Sequence, residues 1–294
     1  MWILLTLVAA FASAGTSFSL KRAVTHGGAI VSTIAARLVA AVLLGALVLA
    51  LGGMPEPSAD YWRAVGLVLV PEVLGTLFLT LALRAGDLSL VQPLLGLLPP
   101  LVMLGGVVAL GEVPTWEAGV GVALVALGVY CVGLAPGASA LDPLRALSRE
   151  RASWYAVASA CAWSAATLVH KQGIAAVGPF PWAVTLALGT ALALAAVLPL
   201  VAWSGPGRVG FPVRRVPWGL AVSLAGLTFA VQQVGIQQAF GMTQAGYVMA
   251  ISSTGILVST ALGIVILRER AAVRSRVAGA VLVCGGAMLV AAFG

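Results

Sequence analysis

Glu72 directly follows Pro71 within the apolar stretch LVLVPEVLGTL, residues 67–77. A carboxyl group in such surroundings can exchange a proton, or it can stay ionised and pair with an ammonium group of a ligand. Pro71 lacks a backbone N–H and leaves one helical carbonyl without its usual partner. The two residues therefore predict a helix that opens midway and presents a titratable side chain. A protonated Glu72 that only bonds to a neighbouring helix is the structural alternative.

Four glutamines lie within the apolar stretch TFAVQQVGIQQAF, residues 228–240. Amide groups need hydrogen-bond partners, so they are not expected to face hydrocarbon. Gln232 and Gln233 are candidates for lining a polar cavity, and hydrogen bonding between helices is the alternative. Gln237 and Gln238 lie nearer the end of the stretch, where water is close, and are weaker candidates.

Other polar or aromatic side chains inside apolar stretches complete the set of candidate substrate-binding residues, which adds Gln92, Trp163, Tyr247, Ser252 and Ser253. Arg37 enters its apolar stretch from one end and could meet an anionic substrate group. We expect Lys21, His170 and Lys171 at helix ends, where long side chains reach the membrane interface and act as anchors.

The composition identifies the solvent of these segments as lipid. Of 294 residues, 61% are apolar and only 9% are charged, whereas a soluble domain has about 25% charged residues. The net charge of +7 is explained by basic residues at helix ends, so no nucleic-acid partner is expected. The three cysteines, an odd number without metal-ligand spacing, predict neither a disulfide framework nor a metal site.

Ten apolar stretches are long enough to cross a bilayer as helices. They lie near residues 2–20, 31–52, 61–83, 88–110, 115–134, 153–172, 180–203, 217–240, 243–267 and 275–293. If the connections alternate sides, 14 of the 16 basic residues fall on one side and only Arg63 and Lys171 on the other. Lys and Arg collect on the cytoplasmic side, so both termini are predicted outside.

The two halves of the chain look like copies of each other. At an offset of 157 residues, Val91, Gly106, Glu112 and Gly128 each pair with an identical residue in the second half. The sequence therefore predicts a first repeat over 1–134, a cytoplasmic connecting loop over 135–152 and a second repeat over 153–294. Five helices per copy is an odd number, so the second copy would be inverted, as in many secondary transporters.

The segment 83–133 resembles the repeat unit of the drug/metabolite transporter superfamily, of the EamA type. The resemblance is carried by the polar turn Asp87-Leu88-Ser89, prolines in the following helix, Gly111-Glu112 at its end and a glycine-rich helix from Gly119 to Gly133. The second copy keeps Glu269 but has no prolines in its fourth helix. The resemblance implies an all-α integral membrane protein with ten transmembrane helices in two inverted five-helix repeats around a central cavity.

These features predict a secondary transporter for a small polar or amphipathic metabolite, such as an amino acid or amine, in a bacterial-type inner membrane. Proton coupling stays open, and a flippase for a lipid-linked headgroup is the alternative. We expect no enzyme and no cofactor, because two histidines and one midspan carboxylate form no catalytic constellation and no Walker sequence is present. The expected partners are the substrate and membrane lipids, and the sequence is compatible with a monomer or a homodimer.

Overall fold

A computed structural model describes residues 1–132, 150–203, 215–268 and 273–293, and within these residues the secondary structure is entirely helical. The helices are α1 (Trp2–His26), α2 (Ala29–Ala50), α3 (Ala59–Ala85), α4 (Leu88–Leu94), α5 (Leu98–Leu110), α6 (Trp116–Val132), α7 (Arg151–Val177), α8 (Pro179–Trp203), α9 (Arg215–Phe240), α10 (Ala245–Ser252), α11 (Gly255–Val265) and α12 (Val273–Phe293). Residues 133–149, most of the predicted connecting loop, lie outside the described part.

The ten predicted apolar spans all correspond to helices, because α4 with α5 and α10 with α11 each form one interrupted span. Seven spans within the described residues are long and apolar enough to cross a membrane, and the apolar segments Trp116–Gly128 and Val277–Val290 are shorter. The remaining predicted span, residues 153–172, lies in α7, which is long but more polar. Large aliphatic side chains such as Val42, Leu49 and Val108 are exposed on the outer surface, as a lipid-facing surface requires. The chain is therefore a multi-pass membrane protein.

The sequence prediction that Pro71 opens a helix was wrong. Helix α3 continues through Pro71 from Ala59 to Ala85, and its start is fixed by Ser58, whose side chain accepts a hydrogen bond from the Tyr61 backbone N–H at 3.1 Å. One proline removes a single backbone bond. The long helix tolerates this loss because the turns on either side keep their own bonds.

The interruptions occur instead in the fourth and ninth spans. In the fourth span, a 3₁₀ turn over Leu95–Leu97 joins α4 to α5, because Pro99 and Pro100 at the start of α5 cannot donate to the carbonyls of that turn. In the ninth span, the Ser253 and Thr254 hydroxyls donate to the Met249 and Ile251 carbonyls. These bonds compete with the regular backbone pattern.

The two interruptions occupy equivalent positions in the two halves. An offset of 157 residues maps Leu95–Leu97 onto residues 252–254, where the second turn lies. The same offset maps Gly111 onto Arg268, and both adopt left-handed backbone conformations, with φ of 67° and 59°. The duplication predicted from side chains thus also appears in backbone geometry.

The pairing of the helices shows the same correspondence between the two halves of the chain. The most extensive contacts join α1 to α9, α3 to α7 and α6 to α12. A shift by five spans converts the α1–α9 pair into the α7–α3 pair and leaves the α6–α12 pair unchanged. An internal two-fold relation predicts this exchange of partners, and the inversion of the second half remains a prediction.

Candidate functional site

A cavity of about 170 Å³ lies at the centre of the helix bundle. Helices from both halves line it, and among the described helices α6, α8 and α12 contribute no residue. Eight of the ten candidate residues line this cavity, namely Arg37, Glu72, Gln92, Trp163, Gln232, Gln233, Ser252 and Ser253. The fold thus brings residues that are far apart in sequence to one site.

Glu72 lines the cavity from α3 and is 5% exposed. The indole of Trp163 on α7 lies close enough to this carboxyl group to interact with it. The indole also packs against Gly75, where an added β-carbon would meet the Trp163 Cδ1 atom at 2.5 Å. A glycine one turn after Glu72 therefore allows the indole to lie beside the carboxylate.

Arg37 is held by two contacts within the cavity wall. Its Nη2 donates to the Thr76 hydroxyl at 3.1 Å, and its guanidinium carbon lies 3.5 Å from the centroid of the Phe229 ring. The side chain is only 7% exposed, and its Nη1 has no hydrogen-bond partner in the described structure. A buried guanidinium with one free edge is a donor that still needs an acceptor.

A row of hydroxyls joins α2 to α3 below these charges. Thr33 and Thr80 share a hydrogen bond of 2.8 Å, and the Thr80 hydroxyl also bonds the Thr76 carbonyl at 2.8 Å. Glu72, Thr76 and Thr80 are spaced by four residues and so share one helical face. This face turns toward the cavity and fixes the position of Arg37 relative to Glu72.

Arg37 and Glu72 do not form a direct ion pair, since within the described residues no nitrogen–oxygen distance between their charged groups is 4.0 Å or less. Each nevertheless feels the charge of the other. The cavity wall therefore carries a positive and a negative group that are close but separated. Such an arrangement can accept a polar ligand between the two charges.

Buried amides extend the polar lining. The Nε2 of Gln92 is buried without a hydrogen-bond partner in the described structure, as is the Oε1 of Gln237. The Gln237 Nε2 donates to the Gln233 Oε1 at 2.8 Å, as the four-residue spacing of these glutamines allows. Gln237, expected near water at the helix end, is 1% exposed and lines the cavity.

His170 is a cavity residue that the sequence did not reveal. It was expected at a helix end as an anchor, but α7 continues to Val177 and His170 is 6% exposed. Its Nδ1 accepts a hydrogen bond from the Trp182 Nε1 at 3.0 Å. Because an indole nitrogen only donates, a neutral His170 carries its proton on Nε2. No local sequence signal indicated the contact with Trp182, which lies on the next helix.

Two candidate residues lie outside the cavity lining. Pro71 is half-buried in the continuous helix α3. Tyr247 is buried among Ala118, Val122 and Ala250, and its hydroxyl accepts a hydrogen bond from the Thr115 backbone N–H at 3.3 Å. This hydroxyl joins the ninth span to the start of α6 rather than facing the cavity.

Phe240 separates the cavity from a second, more open depression of about 710 Å³. The ring lines both spaces and stacks on His170, with a centroid distance of 5.8 Å. The depression lies at the end of the bundle that the charge distribution predicts to face outward. A single aromatic ring thus divides a buried polar chamber from a surface recess.

An ion pair between Lys171 and Glu112 closes the rim of this recess. The Glu112 Oε2 also accepts a hydrogen bond from the Ala245 backbone N–H at 3.3 Å, at the start of α10. Glu112 therefore ties the turn after α5 to both α7 and α10. Lys171 is 30% exposed, which agrees with the interfacial position expected for it. Its ion pair with Glu112 also joins the two halves of the chain.

Lys21, the equivalent of Lys171 in the first half, bonds to backbone groups. Its Nζ donates to the Leu83 and Gly86 carbonyls at 2.7 and 2.6 Å. Glu269, the equivalent of Glu112, lies outside the described residues. In the described ranges, no cluster of three or more His, Cys, Asp or Glu side chains has the arrangement of a metal site.

The fold and the lining of its cavity define a multi-pass membrane protein with an internal polar cavity. Residues 1–134 match the model of the EamA-like transporter family, which confirms the resemblance to the drug/metabolite transporter superfamily. A solved crystal structure of a protein matches 100% of this chain and 99% of its own chain, with a TM-score of 0.67 and 18% identity. At that identity the match shows the fold alone. No curated protein matches the chain.

Proposed function

We propose that the protein is a secondary transporter that moves a small polar or amphipathic metabolite, such as an amino acid or an amine, by alternating access. The central cavity is the observation that carries this proposal. It is lined by both halves, contains unpaired polar groups and lies between opposing elements of a ten-span bundle, which is where secondary transporters bind their substrates.

The division at Phe240 supports alternating access. A polar cavity divided from one surface by a single ring is expected for a carrier, whereas a channel needs a continuous passage. The ion pair between Lys171 and Glu112 adds a polar contact across the same end. Opening toward that surface would require both the ring and the ion pair to move.

Glu72 is the proposed coupling residue. It is the one carboxylate that lines the cavity among the described residues, and an ionisable group inside a membrane is costly to retain without a function, at about 2.5–3.5 kcal/mol on insertion scales. Proton uptake by Glu72 would change its attraction to Arg37 and its interaction with the neighbouring Trp163 indole. A proton gradient could thereby drive substrate movement.

The test is uptake and efflux in lipid vesicles with a pooled metabolite mixture, with and without an imposed pH gradient. We expect wild type to move at least one metabolite in response to the gradient and Glu72→Gln to lose that response. Glu56→Gln, in an exposed loop, is the matched control and should behave as wild type. Equal gradient-driven transport by Glu72→Gln would refute the coupling role and leave transport intact.

A flippase for a lipid-linked headgroup is the second candidate. The placement of Arg37 in the cavity favours it, because a guanidinium can bind a phosphate. If no soluble metabolite moves in vesicles, the same assay with a fluorescent lipid-linked headgroup decides between the two. Movement of the labelled lipid would then replace the metabolite carrier with a flippase.

A further inference from the structure

We infer that the substrate carries an anionic oxygen group and that the free Nη1 edge of Arg37 binds it. This inference rests on the proposed transport function and adds the chemical class of the substrate. A carboxylate on a metabolite and a phosphate on a headgroup share this chemistry, and the experiment below separates them.

The first argument is the unmet hydrogen bond. Arg37 is more than nine-tenths buried, and its Nη1 has no partner among the described residues. A buried donor without an acceptor is costly, and the cost is greater for a charged group. An anionic oxygen satisfies such a donor with a charge-assisted bond, which is about twice as strong as a neutral one.

The second argument is the fixed orientation of the guanidinium. The Thr76 hydroxyl holds the Nη2 edge, and the Phe229 ring supports one face of the guanidinium plane. These contacts occupy one edge and one face of a residue that lines the cavity, and they leave Nη1 without a partner. A planar group held in this way loses little conformational freedom when it binds an oxyanion.

The third argument is the remaining lining. Gln92, which also lines the cavity, provides a second buried donor, because its amide nitrogen has no partner in the described structure. Glu72 balances the charge of Arg37 without touching it. A ligand that brought only a positive group to Glu72 would leave both of these donors unsatisfied.

The experiment measures which compounds the protein retains. Wild type and Arg37→Gln, each in nanodiscs, are incubated with one pool of carboxylates, phosphates, amines and neutral metabolites. Bound compounds are then identified by mass spectrometry. Lipid-linked phosphates are offered in a separate arm, which distinguishes a headgroup from a free metabolite.

Arg22→Gln is the matched control. Arg22 also stacks on a phenylalanine, with its guanidinium carbon 4.9 Å from the centroid of the Phe18 ring, but it is exposed and lies outside the cavity lining. The double variant Arg37→Gln/Glu72→Gln guards against misfolding, because it removes both buried charges together. Size-exclusion elution and helix content show whether each variant is folded.

We expect the compounds retained by wild type and by Arg22→Gln to carry a carboxylate or phosphate. Binding of these compounds to the Arg37 variants should be weaker by about tenfold or more, as the loss of one charge-assisted hydrogen bond predicts. For each retained acid, its amide or ester should bind wild type no better than the acid binds Arg37→Gln.

The inference is overturned if the retained compounds lack an anionic oxygen, if folded Arg37 variants retain the same acids equally well, or if wild type retains nothing from either arm. The vesicle assay keeps this result separate from the transport function. Gradient-driven movement of a neutral or purely cationic compound would refute the anion site and leave the carrier intact.

Discussion

Gly75 shows how one residue without a side chain can determine the position of a functional group. The Trp163 indole occupies the space that a β-carbon would need, and from that position it lies beside the Glu72 carboxyl group. Serine is also excluded at position 75, because its side chain begins with the same carbon. The position of the carboxylate in the cavity thus depends on a neighbour with no chemistry of its own.

We therefore predict that Gly75→Ala displaces Trp163 and reduces transport by about tenfold, the effect of roughly 1.4 kcal/mol. Gly66→Ala on the same helix is the control, because a β-carbon there meets no atom within 4 Å. Vesicle uptake measures the loss, and the tryptophan emission spectrum should change only in Gly75→Ala. Equal uptake by the two variants would show that the indole position does not matter.

At the scale of single residues, the sequence identified polar side chains in apolar surroundings, and most of them line the cavity. Physical cost explains this success, since a polar group inside a membrane needs a partner or a cavity. The prediction did not separate the hydroxyl of Tyr247, which bonds to a backbone N–H, from hydroxyls that face the cavity. It also missed His170, because its partner Trp182 is brought close only by the packing of α7 against α8.

At the scale of helices, the left-handed residue after each interrupted span differs between the two halves. Gly111 adopts this conformation without a steric penalty, whereas Arg268, its equivalent, has a β-carbon and is the only non-glycine residue with positive φ in the described structure. A non-glycine residue in this region is strained by roughly 1–2 kcal/mol. The second half thus retains a backbone conformation that suits glycine better.

We predict that Arg268→Gly stabilises the protein and that Gly111→Ala destabilises it, each by about 1 kcal/mol. Thermal unfolding in detergent, followed by helix content, should show a higher midpoint for the first variant and a lower one for the second. Because Arg268 is also a basic residue at a helix end, Arg268→Lys is the control for its charge and should leave the midpoint unchanged. A lower midpoint for Arg268→Gly would contradict the strain argument.

The α6–α12 pair packs through glycines. A β-carbon at Gly121 would meet the Gly286 carbonyl oxygen at 2.7 Å, and one at Gly128 would meet the Gly279 carbonyl oxygen at 2.6 Å. Small residues let membrane helices approach closely and gain contact between their backbones. Neither helix lines the cavity, so this pair supports the bundle without taking part in binding.

Gly286→Ala should therefore lower the thermal midpoint in detergent, since its β-carbon would overlap the Gly121 carbonyl oxygen. The adjacent Gly285→Ala is an unusually close control, because a β-carbon there meets no atom within 4 Å. We expect a destabilisation of about 1–3 kcal/mol for the first variant, the usual cost of overpacking, and almost none for the second. Matching midpoints for the two would mean that the helices separate easily.

At the scale of the whole molecule, Glu112 links three separate segments at the end closed by Phe240. It pairs with Lys171 on α7 and accepts a hydrogen bond from the start of α10. Because these contacts cross between the two halves, they should favour the state that is closed toward this end. An ion pair at the rim of a recess contributes little energy, on the order of 1 kcal/mol or less. Its effect should therefore be on the balance between open and closed states rather than on folding.

We predict that Glu112→Gln increases the opening of this end while the thermal midpoint stays near that of wild type. A cysteine introduced at Gln237, in a background without the three native cysteines, reports access to the cavity. A water-soluble maleimide should label it a few-fold faster in Glu112→Gln. Glu117→Gln, at the start of α6, is the control, and equal labelling in both would show that the ion pair does not hold the closed state.

At this scale the sequence predicted the number and length of the spans well, because apolar length and loop composition are set by the bilayer itself. The position of the helix interruptions was harder to predict. Pro99 and Pro100 indicate one of them. Pro71 indicates another that does not occur, because its helix stays continuous. The interruption near Ser253 had no proline signal, and side-chain hydroxyls that bond to their own backbone are common within ordinary membrane helices.

The two equivalent interruptions involve different chemical groups. The turn before α5 is imposed by the covalent rings of Pro99 and Pro100, whereas the turn before α11 depends on hydrogen bonds made by the Ser253 and Thr254 hydroxyls. Hydrogen bonds weaken on heating, whereas the covalent proline rings do not. The two joints should therefore differ in stiffness as temperature changes, and the two half-cycles of the proposed alternating-access transport should have different activation enthalpies despite their common architecture.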